Sequence, residues 1–128
     1  MRGYDVAIAS LAIDAPLKWT DNALSQHAVP GVVAARRGIP RRISRTALLH
    51  LALTRELHVQ LGLGVRDALA LAIELLARDA DPGVARGSLR LQCDRAALER
   101  ILDLRLRDAL ESAPSPRRGR PSRPRSMQ

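Results

Sequence analysis

The chain has 128 residues, 46% hydrophobic and 2% aromatic, and its 21 basic against 13 acidic side chains give a net charge of +8, one domain's worth of sequence with a basic bias. A single cysteine, Cys93, excludes an internal disulfide framework and a multi-cysteine zinc site, and two aromatic residues, Tyr4 and Trp19, are too few for a stacking platform on single-stranded nucleic acid. Asp5 and Asp14 break the apolar start that a secretory signal would need, and no uncharged apolar run approaches the roughly 20 residues of a bilayer span, so a soluble, cytoplasmic protein without membrane contact is expected.

Residues 5–13 predict a first helix, ended by Asp14-Ala15-Pro16. Proline is tolerated in a turn or in the first turn of a helix, so a second helix is expected from about Leu17 to Gln26, ended by His27 and Pro30-Gly31. Val32 to Ile43 begins and ends in β-branched residues around an Arg-rich middle with Gly38, a hairpin pattern, and Pro40 makes its second strand short or an edge. Ser44 predicts the N-cap of a long helix to about Leu61. Gly62-Leu63-Gly64 breaks it, and Val65, Ala68, Leu69, Ala72, Ile73 and Leu76 set the stripe of the next helix. Leu71 and Leu75 widen that stripe, which places this helix either centrally or in a subunit contact. Asp81-Pro82-Gly83 marks a boundary. Residues 88–93 alternate, with Leu89, Leu91 and Cys93 on one face, as in a lone half-buried strand that needs a partner. Asp94 predicts the N-cap of a last helix carrying Leu98, Ile101, Leu102, Leu106, Ala109 and Leu110.

The expected fold is therefore mainly α with a small β component. Residues 1–77 form the first unit, residues 78–112 a strand-helix segment for packing or dimerisation, and residues 113–128 a basic tail whose Pro, Ser and Arg cannot bury enough apolar surface to offset the entropy of ordering. The charge follows the same division. Residues 1–77 carry a net +3, residues 78–112 are balanced, and residues 113–128 carry five Arg and no acid. Within the first unit five arginines, Arg36, Arg37, Arg41, Arg42 and Arg45, fall in ten residues with no acid among them, the electrostatic footprint of a nucleic-acid partner.

The order of short helix, tight turn, second helix, Arg-rich hairpin and serine-capped helix resembles the winged helix-turn-helix of the MerR-like and excisionase-like DNA-binding families. The resemblance covers roughly residues 4–77, and its most specific stretch runs from Lys18 to Ser44, with Val29-Pro30-Gly31 at the helix exit and Ser44 to Leu48 opening the next helix. Two features depart from that pattern. Asp14 stands where the turn usually carries a glycine, and the long coiled-coil helix and ligand cysteines of effector-sensing members are missing. The resemblance implies a recognition helix in the major groove and a basic wing on the backbone or minor groove.

On that reading the exposed polar residues of the second helix, Lys18, Thr20, Asp21, Asn22, Ser25 and Gln26, face DNA, and Asn22 and Gln26, four apart, can each read adenine bidentately. Arg36, Arg37, Arg41, Arg42 and Arg45 contact phosphates or the minor groove. Trp19 is expected to pack in the core. In the tail, Arg118-Gly119-Arg120-Pro121 matches the core of the AT-hook, a peptide of the A/T-rich minor groove.

Nothing in the sequence marks an enzyme, a cofactor or a metal site. His50 and His58 lack a paired ligand at i+4, Gly62 and Gly64 lack a phosphate-loop context, and Cys93 alternates with leucines as a packed thiol does. The expectation is a sequence-specific double-stranded DNA-binding regulator of bacterial or phage type, nucleoid-associated and homodimeric. Its competitors are an antitoxin-type autorepressor that binds a toxin protein, and an architectural, excisionase-like factor that bends DNA.

Overall fold

The computed structural model describes residues 3–78 and 83–112. The described chain is mainly helical with a small antiparallel strand component. In order it runs α1 (Val6–Ala12), α2 (Leu17–Gln26), β1 (Val32–Val33), β2 (Arg42–Ile43), α3 (Arg45–Leu61), α4 (Val65–Leu76), β3 (Gly83–Arg86), β4 (Leu89–Gln92) and α5 (Arg95–Ser112).

Helix boundaries follow side-chain chemistry. The Asp5 carboxylate accepts the Ile8 amide at 2.9 Å and caps α1, Ser44 Oγ accepts the Ala47 amide at 3.2 Å and caps α3, and Asp94 accepts the Ala97 amide at 3.0 Å before α5. After α1 the chain reverses at Asp14, whose φ of 55° lies in the left-handed region that a short polar side chain tolerates. Gly31, at φ 89°, passes so close to the start of α3 that a Cβ there would stand 2.8 Å from the Ala47 amide nitrogen. Its carbonyl accepts the Ser44 amide at 3.1 Å. The exit from α2 is thereby fastened to the first turn of α3, and only glycine fits.

Helix α3 is the spine. Leu48 and Leu51 are fully buried in it, α4 lies along it, and α5 packs Leu98, Leu102 and Leu106 against α1 and α3. The last helix thus shares one core with the first, so residues 95–112 close the bundle around residues 6–61. Buried hydroxyls are satisfied within their own helices. Ser10, Thr20 and Thr54 donate to the carbonyls of Val6, Pro16 and His50 at 2.9, 3.1 and 2.6 Å.

The two hairpins are separate two-stranded sheets. β1 and β2 pair Val32 with Ile43 and Val33 with Arg42. On its other side Ile43 exchanges both backbone hydrogen bonds with Tyr4, at 2.8 and 3.0 Å, so the buried Ile43 is held from both edges. The second hairpin corrects the expectation of a lone strand over 88–93. Its partner is Gly83–Arg86, with Val84 opposite Leu91. Leu89, expected on the buried face, is 73% exposed, because it flanks the Gly87-Ser88 turn that closes the hairpin, while Leu91 and Cys93 are half-buried. Helix α4 takes its cover from α3 and β3, leaving Ile73 exposed. Among the described residues, no helix is long and apolar enough to cross a membrane.

Candidate nucleic-acid interface

Helix α2 has two distinct faces. Thr20, Ala23 and Leu24 are buried, and Lys18, Asp21, Asn22, Ser25 and Gln26 are exposed on the other side. The periodicity explains the split, since positions 18, 22 and 25 to 26 fall one turn apart on one stripe. Thr20 departs from the sequence expectation. It is fully buried and its hydroxyl bonds to Pro16, so it presents nothing to a ligand. The signal was available, since Thr20 stands three and four residues before Ala23 and Leu24 and belongs to their stripe. Ser25 Oγ donates to the Asp21 carbonyl at 2.8 Å, while the Asn22 and Gln26 amides lie open.

Trp19 sets how α2 sits on α3. Its ring is half-buried, with the Arg55 guanidinium carbon 4.9 Å from the ring centroid and the His58 ring centroid at 5.9 Å. A cation over an indole face contributes about 0.5–1 kcal/mol at such a partly exposed site. His58 Nδ1 in turn donates to the Leu63 carbonyl at 2.6 Å, which ties the loop after α3 into the same stack. The indole Nε1 is buried without a hydrogen-bond partner among the described residues.

The hairpin projects beside α2. Arg36 and Ile39 exchange both backbone hydrogen bonds, at 2.9 and 2.8 Å, across an Arg37-Gly38 turn. Gly38 takes φ 74°, and a Cβ there would meet nothing within 4 Å, so the tip stands clear of the body. Arg36, Arg37 and Arg42 are exposed, with no carboxylate within ion-pair reach among the described residues. The stem of Arg42 lies against Gly3, where a Cβ would stand 2.8 Å from Arg42 Cβ.

The other two arginines of the cluster are engaged. Arg41 Nη2 donates to Asp21 Oδ1 at 2.7 Å, an ion pair that joins the hairpin base to the exposed face of α2. Arg45 reaches away from the hairpin to α5, where it meets both oxygens of Asp103 at 2.9 and 3.1 Å and Glu99 at 3.5 Å. The Asp103 hydrogen bonds hold the Arg45 guanidinium above its ordinary pKa range against a smaller opposing effect of burial. Glu99 also accepts from Arg95 at 3.0 Å. Sequence spacing alone grouped Arg45 with the wing, whereas the fold gives it to the bundle.

The structure thus brings together Lys18, Asp21, Asn22, Ser25 and Gln26 on α2 with the hairpin arginines through the Arg41–Asp21 pair. Arg118, Gly119, Arg120 and Pro121 lie outside the described residues. A second surface feature sits on the opposite side of α3, a largely apolar groove of about 290 Å³ between α3, β4 and α5, lined in part by Leu57, Leu61, Leu91, Cys93 and Ile101. Partial burial, with the Glu56 and Asp94 charges second, pushes the Cys93 thiol up from its ordinary range. Comparison with protein-family models, with curated proteins and with solved structures finds no match for the chain.

Proposed function

We propose that the protein binds double-stranded DNA sequence-specifically as a transcription regulator of bacterial or phage type, in the manner of a winged helix-turn-helix. In this reading α2 enters the major groove and the β1–β2 hairpin lies on the adjacent backbone or minor groove. One observation carries it. The Arg41–Asp21 pair ties the hairpin that carries the unpaired Arg36, Arg37 and Arg42 to the polar face of α2. Asn22 and Gln26 then supply base readout, Lys18 and Ser25 supply polar contacts, and Arg36, Arg37 and Arg42 supply phosphate contacts whose affinity comes from released counterions. A homodimer would place two such surfaces on half-sites about 34 Å apart.

The second reading, an antitoxin-type autorepressor, draws on the apolar groove on the far side of α3, where Leu61 and Ile101 are exposed. It leaves the DNA surface free while a partner protein is held.

A salt titration of full-length protein against genomic fragments, followed by footprinting, tests the proposal. The expected result is a protected site with two half-sites and an observed affinity that falls linearly with salt on logarithmic axes, with a slope of about −0.9 per neutralised phosphate. Absence of duplex binding at low salt overturns it.

A further inference from the structure

The tip of the β1–β2 hairpin is apolar as well as basic. Ile39 is 52% exposed, directly across the bridge from Arg36 and next to the Arg37-Gly38 turn, and Pro40 beside it is exposed too. A single exposed isoleucine on a protein surface is ordinary. Its setting here is not, because this one stands at a projecting tip beside Arg36 and Arg37, which have no carboxylate partner among the described residues, with open space around Gly38 and Arg42 exposed at the hairpin base.

We propose that Ile39 is a wedge, inserted from the minor groove between two stacked base pairs, so that the protein kinks the duplex it binds. The inference rests on the DNA-binding reading above and extends it to the shape of the bound DNA. Charge complementarity selects the occupant. Arg36, Arg37 and Arg42 are drawn to the negative potential of the minor groove and deliver the tip to it. Ile is β-branched and stiff at χ1, so little rotamer freedom is lost when it is fixed between bases. Opening a base step costs a few kcal/mol, least at the flexible pyrimidine–purine steps, and minor-groove proteins offset that cost with backbone contacts that the bend permits. The preferred substrate is therefore a site carrying a TA or CA step under the tip. No hydrogen bond from the hairpin to a base edge is required to read it.

The test uses full-length protein and a footprinted duplex labelled at both ends, with energy transfer between the labels reporting the bend. Wild-type protein is expected to bend the duplex by an angle in the range of about 20–90° typical of wedge insertion. Ile39→Ala is expected to halve that bend or more and to lower affinity about tenfold for a duplex with TA under the tip, with little loss on a stiff A-tract. Its salt slope should flatten by no more than the phosphate contacts that the bend permits, because every arginine remains. Ile39→Leu should keep the bend. Wild-type binding without a bend, or Ile39→Ala bending as wild type does, overturns the wedge and leaves the DNA-binding proposal standing. Absence of any duplex binding overturns both.

Discussion

Arg42 and Arg45 stand three residues apart in the chain, yet they meet different surroundings. Arg42 ends the hairpin with its head exposed and no carboxylate in reach among the described residues, as do Arg36 and Arg37 nearer the tip. Arg45, one turn of chain later, is held by Asp103 and Glu99 of α5. Several arginines of the bundle are paired as Arg45 is, although Arg66 on α4 and Arg100 and Arg107 on α5 are exposed with no ion pair among the described residues. Away from the hairpin, Arg86 pairs with Glu74, Arg95 with Glu99, and Arg105 with Asp14 at 3.8 Å. Paired guanidinium groups close the bundle, and unpaired ones carry the net field that an anionic partner meets. Arg41 stands between the two sets, because its ion pair with Asp21 positions the hairpin against α2.

The largest test of this division replaces the unpaired set. Arg36→Ala, Arg37→Ala and Arg42→Ala together should weaken duplex binding roughly a hundredfold at moderate salt and flatten the salt slope by about three phosphate equivalents. The melting temperature should stay near that of wild type, since exposed side chains without partners contribute little to stability. An unchanged slope in filter-binding titrations would end the division, for the unpaired arginines would then not be the ones that meet DNA.

The reciprocal test is smaller. Arg45→Ala removes a forked guanidinium–carboxylate contact whose partners are all about a third or more exposed, which discounts it to about 1 kcal/mol. For a chain of this size that is a fall of about 4 °C in melting temperature. The salt slope of DNA binding should not move. A slope reduced by about one unit would return Arg45 to the wing, with Asp103 and Glu99 as its resting partners.

How much of this division was legible in the sequence depends on the range of the interaction concerned. Local chemistry was readable. The caps at Ser44 and Asp94 and the breaks at Gly62 and Gly31 each follow from one or two residues, and each stands where expected. The amphipathic split of α2 was readable too, Thr20 included, once its stripe is drawn through Ala23 and Leu24. Strand β3 was not, because Gly83–Arg86 is four residues long with Val84 its main apolar signal, and it forms through pairing with β4 and cover by α4. The ion pairs were the least readable. Arg41 meets a residue 20 positions earlier and Arg45 one 58 positions later. The packing of α5 across α1 and α3 gives Arg45 its carboxylates, and the placement of the hairpin beside α2 gives Arg41 its own.

An exposed pair tests the same rule at the surface. Arg86 on β3 donates to Glu74 on α4, and both side chains are well exposed. The Arg86 hydrogen bond, with the Arg86 and Arg78 charges behind it, holds the Glu74 carboxyl below its ordinary range. A depressed carboxyl binds its proton less readily in the native chain than in the unfolded one. Its stabilising contribution is therefore complete above the ordinary Glu range and is lost as the pH falls through the lowered value. Glu74→Gln should accordingly melt slightly below wild type at neutral pH and together with it in acid, and added salt should shrink the neutral gap, because exposed charges are screened. DNA affinity should not change. A gap that survives at acid pH would mean that Glu74 stabilises the fold by something other than its charge, and this pair would then leave the set of arginines that charge pairing assigns to the bundle.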